Sequence, residues 1–256
     1  MNILSGDDTE TNFNPVPSLF TLCNALCGIT SIIFTFRAGD GLIHPLSIWL
    51  IFGAMLFDVL DGMAARLLNA QSLHGMNLDS LADVISFGAA PAVMIYGLIA
   101  NGFRTDAFPG LAWFAASFYL VCALWRLAHY NSIALQETGD HGDFIGLPTP
   151  GAAALICSMA ILVPALGPGF KLATPLYTSY AVVSAVLMVG AVPYTHVRRC
   201  LSHSRKWVAP MVLLMLIGSI LLFKVWALVG WAHFYAFSAP LMALEARVMQ
   251  RRHANI

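Results

Sequence analysis

Residues 57–88 read FDVLDGMAARLLNAQSLHGMNLDSLADVISFG, and four aspartates stand in that stretch as two pairs, Asp58 with Asp61 and Asp79 with Asp83. The members of the first pair are three residues apart and those of the second four apart, so each pair shares one face of a helix. Carboxylates inside an apolar chain are costly unless something cationic holds them. Two such faces set against each other make an all-oxygen site suited to hard divalent cations.

The surrounding chain is apolar. It is 59% hydrophobic and 10% charged, with a mean hydropathy of +0.75, whereas a soluble domain carries about a quarter charged residues. This composition is that of an integral membrane protein. The formal net charge is zero and no basic stripe is present, which argues against nucleic acid as a partner. Cys23, Cys27, Cys122, Cys157 and Cys200 show no metal-finger or CxxC spacing and read as buried thiols. Residues 1–17 carry Asp7, Asp8 and Glu10 but no basic cluster, so they read as a short tail or interfacial segment rather than a signal peptide.

A membrane-crossing helix needs roughly 20 apolar residues. Eight candidates follow, at about 18–36, 46–66, 79–101, 111–131, 151–167, 175–194, 208–223 and 228–247. The last two are short and are split by Lys224, so a hairpin or a single kinked element also fits them. The expected fold is therefore an all-α, polytopic membrane helical bundle. Its core spans residues 18–195, and a C-terminal membrane hairpin with a basic tail occupies 196–256. No internal repeat is visible. The stretch His129–Leu147 is the longest polar interruption and reads as a surface loop or interfacial helix. With the N-terminus on the cytoplasmic side, nine lysines and arginines fall on that side and four on the other. The positive-inside rule then favours cytoplasmic N- and C-termini and places the acidic cluster near the cytoplasmic face of the cell membrane.

Three readings of the four acids compete. They could pair with buried arginines, but Arg66 and Arg126 are too few to neutralise four carboxylates. They could form the ion pathway of an ion-coupled transporter, a class that tends to show inverted repeats, which are absent here. Or they could hold two metal ions. Crowded carboxylates repel, and divalent cations keep them ionised. Paired metals suit displacement at phosphorus, because they offset charge on the attacking and leaving oxygens. Gly62 and Ala65 lie on roughly the same face as Asp58 and Asp61 and would let a flat ligand or a phosphate approach the helix, although close helix packing explains such residues equally well. Arg66 follows at once, with a planar donor fork suited to a diphosphate. Together they favour a nucleotide diphosphate.

The full pattern, Asp58-x2-Asp61-Gly62-x2-Ala65-Arg66-x8-Gly75-x3-Asp79-x3-Asp83, resembles the signature of the CDP-alcohol phosphotransferases, with every fixed position filled. The resemblance implies a six-helix catalytic core, a homodimer, two divalent ions (Mg2+ or Mn2+), and transfer of a phosphatidyl group from a CDP-linked lipid to an alcohol with release of CMP. It implies that Asp58, Asp61 and Asp79 ligate metal. Asp83 would complete the second metal site and act as general base on the acceptor hydroxyl. Gly62, Ala65 and Gly75 would contact the cytidine side and Arg66 the diphosphate. An alcohol is a poor nucleophile until a base takes its proton, which agrees with the chemistry read from the acids.

Three flanking segments resemble the bacterial and archaeal phosphatidylserine synthases within that family. Pro17-x3-Thr21-x2-Asn24-x3-Gly28 lies in the first span, where Thr21, Asn24 and Gly28 share one helical stripe; Thr21 and Asn24 are candidates for lining the CDP-diacylglycerol site. The second segment is Ala123-Leu124-Trp125-Arg126-Leu127-Ala128-His129-Tyr130-Asn131. It departs from the family pattern at His129, where arginine is usual, so an anion-binding role moves to Arg126. The third is Phe144-Ile145-Gly146-Leu147-Pro148-Thr149-Pro150-Gly151-Ala152-Ala153, a rigid lead into the fifth span. Arg126, Asn131, Gly146 and Pro148 are thus the candidate acceptor-binding residues. The resemblance points to L-serine as acceptor and CDP-diacylglycerol as donor. Glycerol 3-phosphate, inositol phosphate and choline are the alternative acceptors. Phosphorylated acceptors call for several cations, and Arg66 and Arg126 fit a small zwitterion better.

Overall fold

The structure is a computed structural model that describes residues 15–38, 43–68, 72–101, 109–136, 146–165, 173–190 and 225–254. Every regular element among them is helical. In chain order these are α1 (Pro15–Arg37), α2 (Pro45–Leu67), α3 (Leu73–Asp83), a π-helical segment (Val84–Ala89), α4 (Ala90–Asn101), α5 (Pro109–Gln136), α6 (Thr149–Ala165), α7 (Ala173–Val189) and α8 (Val225–Ala254). The segment from α3 through α4 is one continuous rod. Among the described residues four helices are long and apolar enough to cross a membrane: Val16–Arg37, Pro45–Leu67, Leu73–Ala100 and Gly110–Ser132. The apolar α6 and α7 have 17 residues each, about 26 Å of rise against a hydrocarbon core of about 30 Å. The protein is a multi-pass helical membrane bundle.

Local chemistry sets where the helices start. At α2, extended His44 precedes Pro45, and the His44 ring accepts the Leu46 N–H at 3.2 Å; proline suits the first helical position because its missing N–H would be unpaired there anyway. At α3, Ser72 is extended and its Oγ accepts the Gly75 N–H at 3.0 Å, a serine cap.

The rod α3–π–α4 sits in the middle of the bundle. Its span is 61% buried, against 22–33% for the other three long spans. Phe87, Ala90, Met94 and Ile95 form its inner face. α1 packs most extensively on α2, and the two run antiparallel: Thr21 meets Asp61 at one end, and Ser31 Oγ donates to the Ser47 carbonyl at 2.7 Å nearer the other. α5 packs on α4 and α7, and α8 packs on α6. The last pair is also antiparallel. Tyr235 of α8 meets Gly151 near the start of α6, whereas Val225 and Leu228 share an apolar cavity of about 380 Å³ with Ala160, Ile161 and Pro164 near its end.

Small residues let these helices approach. Ala54, Ala90, Ala115, Ala123, Ala152 and Ala181 are wholly buried, the close-packed interface expected where lipid replaces water as the solvent. The tightest approach of one helix on another is at Gly28. A Cβ there would stand 2.5 Å from Ser86 Oγ and 2.7 Å from Ser86 Cα, so α1 lies directly against the π-helical segment. Ser86 Oγ donates to the Asn24 carbonyl at 2.8 Å, and Tyr119 Oη of α5 donates to the Phe87 carbonyl at 3.0 Å. These neighbours hold a wide turn whose own bonding is irregular.

Two sequence expectations are refined. The polar stretch from His129 is not a loop at its start, because α5 continues through it to Gln136; residues 137–145 lie outside the described part. The expected span at 228–247 lies within one 30-residue helix, α8, which carries Pro240; the expected span at 208–223 lies outside the described residues. Cys122 and Cys157 are buried thiols, while Cys23 and Cys27 are half-buried, and all four are free.

Gly28→Ala is expected to lower the melting temperature and the activity of the detergent-solubilised protein, because overpacking typically costs about 1–3 kcal/mol. Gly53→Ala is the control. Its Cβ would meet only Cys27 Sγ, at 3.8 Å, and a thermal-shift assay should find that variant as stable as the parent or more so.

Candidate active site

α2 carries Asp58 and Asp61 in its last three turns, and α3 carries Asp79 and Asp83 in its last two. One carboxylate oxygen from each of Asp58, Asp79 and Asp83 lies within 4.8 Å of the other two. The spacing read from the sequence therefore closes into a cluster drawn from two helices. Asp61 stands beside it, 6% exposed, and accepts a hydrogen bond from the Thr21 hydroxyl of α1.

Asn24, one turn further along α1 and wholly buried, donates from Nδ2 to Asp83 Oδ1 at 3.1 Å. Its own Oδ1 has no hydrogen-bond partner among the described residues. Thr21 and Asn24 thus reach the acids themselves, which fixes the rotation of Asp61 and Asp83. The stripe Thr21–Asn24–Gly28 is as the sequence implies, with each residue engaged: two hold carboxylates and the third admits Ser86.

The cluster fits a hard divalent cation. Its donors are oxygens only, they converge from two rigid elements, and the charge they gather is more than one buried arginine offsets. No nitrogen or sulfur ligand approaches it among the described residues.

At the end of α2 the Arg66 guanidinium folds back over Gly62, with Nη1 and Nη2 each 3.8 Å from where a Gly62 Cβ would stand. Arg66 is exposed and Ala65 half-buried. Gly75 lies in the first turn of α3 with its N–H on the Ser72 cap. Across the site, Arg126 of α5 is 6% exposed. Its Nη1 donates to Thr149 Oγ1 at 3.1 Å, its guanidinium carbon lies 4.7 Å from the centre of the Tyr130 ring, and its Nε has no hydrogen-bond partner among the described residues.

Asn131 does not stand alone. It exchanges side-chain hydrogen bonds with Ser80, at 2.8 and 3.0 Å, and so ties α5 to the turn between Asp79 and Asp83. Gly146 has φ of +87°, and a Cβ there would lie 2.4 Å from the Met188 carbonyl oxygen. Leu147 N–H donates to the Leu187 carbonyl at 2.8 Å. The Gly146–Pro148 turn is thereby locked to the end of α7, and Pro148 leads directly into α6.

The sequence model of the CDP-alcohol phosphatidyltransferase family matches residues 14–197. A CDP-diacylglycerol–serine O-phosphatidyltransferase of Helicobacter pylori is 31% identical over 207 residues, 81% of each chain. The chain belongs to the CDP-alcohol phosphatidyltransferase family. It is also 32% identical to an archaetidylserine synthase of Methanothermobacter thermautotrophicus, over 76% of this chain and 75% of that one. A CDP-diacylglycerol–serine O-phosphatidyltransferase of Mycobacterium bovis is 30% identical over 71% of this chain. The match spans only 61% of that mycobacterial protein's length.

Every residue singled out in the sequence for this family's chemistry lies in the described part of the structure. The cluster of Asp58, Asp79 and Asp83 forms, with Asp61, Thr21 and Asn24 around it. Arg126 and Arg66 lie on different helices. Sequence reasoning missed Thr149, Ser80 and Ser86. Thr149 sits in the variable position of the Pro-x-Pro turn, and the two serines lie between or beyond the acids, so nothing in their spacing marked them.

Asn24→Ala leaves Asp83 without its buried donor, a loss of about 1–3 kcal/mol for such a group. Activity in a CMP-release assay should fall by about five- to 150-fold, while Thr30→Ala on the exposed face of the same helix leaves it unchanged. Gly146→Ala forces a non-glycine residue into a left-handed conformation that costs about 1–2 kcal/mol before any clash. Its melting temperature should fall measurably.

Proposed function

We propose that this protein transfers the phosphatidyl group of CDP-diacylglycerol to the hydroxyl of L-serine, giving phosphatidylserine and CMP. The observation that carries this reading is the convergence of Asp58, Asp79 and Asp83 within 4.8 Å in a membrane protein of this family. The names borne by the bacterial and archaeal relatives support serine as the acceptor.

In this reading Asp58, Asp61, Asp79 and Asp83 hold two divalent ions, Mg2+ or Mn2+. Such ions would supply charge that offsets the oxygens entering and leaving phosphorus. Asp83 takes the proton from the serine hydroxyl. The serine oxygen then forms a bond to the lipid-proximal phosphorus as the phosphoanhydride bond to CMP breaks, and CMP leaves with that electron pair. The Asn24 hydrogen bond to Asp83 Oδ1 holds the carboxyl in one rotamer for proton transfer, a task that depends first on geometry. Gly62 and Ala65 leave room for the cytidine, Gly75 approaches it from α3, and Arg66, folded over Gly62, meets the diphosphate. Arg126 receives the serine carboxylate. The enzyme works as a homodimer in the cell membrane, with both termini and the site on the cytoplasmic side, where serine arrives from water and the lipid from the bilayer.

Purified protein supplied with CDP-diacylglycerol, Mn2+ or Mg2+ and labelled serine should release CMP in step with labelled lipid. Release driven only by another alcohol would remove serine and keep the transferase chemistry; no release with any alcohol would remove both. Asp83→Asn should lower turnover by at least about a thousandfold, within the range reported for positioned acid–base groups, with CDP-diacylglycerol binding retained. Chelation with EDTA should stop the reaction, and added Mn2+ or Mg2+ should restore it; turnover that survives thorough chelation would defeat the metal assignment.

A further inference from the structure

Arg126 is a buried cation with spare donor capacity. Its contacts are the Tyr130 ring and the Thr149 hydroxyl, and its Nε–H has no hydrogen-bond partner among the described residues. Leaving such a donor unmet in an apolar interior is costly, and an anion would satisfy it. A carboxylate suits best, because a guanidinium edge meets its two oxygens at once. Asp83 lies within electrostatic range of the same guanidinium, so an anion seated there would have its remaining atoms close to the reacting centre.

The wall behind this arginine comes from outside the family core. α8 begins at Val225, beyond the matched stretch that ends at residue 197. Its inward face, Val229, Ala232 and Ala236, is buried and packs on α6. The half-buried Tyr235 projects beside this face. Its ring carbons lie 3.1 and 3.4 Å from where a Cβ on Gly151 would stand, so a glycine in the first turn of α6 makes room for the ring. Thr149, which holds Arg126, is two residues away, and Tyr235 is within electrostatic range of Arg126.

We infer that α8 completes the acceptor subsite, with Tyr235 as a positioning residue that keeps Arg126 aimed at the carboxylate of an amino-acid alcohol. This rests on the serine reading above. It assigns acceptor selectivity partly to a helix outside the matched core. Acceptors without a carboxylate gain nothing from the arrangement.

The test compares serine with serinol, in which a CH2OH replaces the carboxylate, using the full-length protein and CMP release. The wild type should favour serine by kcat/KM. Tyr235→Phe should shrink that preference about tenfold, chiefly by raising KM for serine. Tyr180→Phe is the structural control. It removes the 3.0 Å hydrogen bond between Tyr180 of α7 and His233 of α8 and loosens the same helix away from Arg126, so the preference should stay. A wild type that favours serine while Tyr235→Phe keeps the full preference overturns the α8 assignment alone. Equal losses in Tyr235→Phe and Tyr180→Phe also overturn it, because packing would then be the whole effect. A wild type indifferent to the carboxylate overturns the serine reading and this inference together.

Discussion

The mutual repulsion of Asp58, Asp79 and Asp83 in an apolar bundle is the constraint around which the molecule is built. Without ions, carboxylates within 4.8 Å of one another push the two helices that carry them apart, and lipid offers no dielectric relief. The opposing forces come from α1. In three successive contacts it meets Asp61 through Thr21, Asp83 through Asn24, and the backbone beyond Asp83 through Gly28 against Ser86. The first helix acts as a brace. It binds the acid-bearing ends of α2 and α3 from the side and so holds them to one another.

The opposite side of the site is organised by a different principle. α5 and α6 place a cation, Arg126, where Thr149 and Tyr130 hold it without neutralising it. Asn131 and Ser80 then tie α5 to the turn between the last two acids. Negative charge and positive charge are thus fixed on separate helices.

Much of this was legible in the chain because the signals were local. Hydropathy marked α1 to α7, since lipid demands apolar length. The three- and four-residue spacings marked the acids, since helix geometry is fixed. What could not be read were partners between distant helices. The Thr21–Asn24–Gly28 stripe was visible, but nothing in the first span says that Asn24 will meet Asp83. Likewise Asp61 has the same local spacing as the other acids, and only the position of Thr21 sets it apart. The polar run after His129 looked like a break because composition weighs polarity, whereas the α5 backbone continues once it is ordered by packing and by the Asn131–Ser80 pair. Tyr235 stood in a region without a recognisable pattern.

The π-helical turn at Val84–Ala89 has a further consequence. A π turn holds one residue more than an α turn, so the side chains of α4 are rotated in phase relative to those of α3. The acid-bearing upstream half and the core-filling downstream half, with Met94 and Ile95, therefore need not share a common stripe. Substitutions that repack α4 against α5 and α7 can accumulate without turning Asp79 and Asp83 away from Asp58. Within one membrane-crossing rod, the wide turn acts as a mechanical clutch between packing and chemistry.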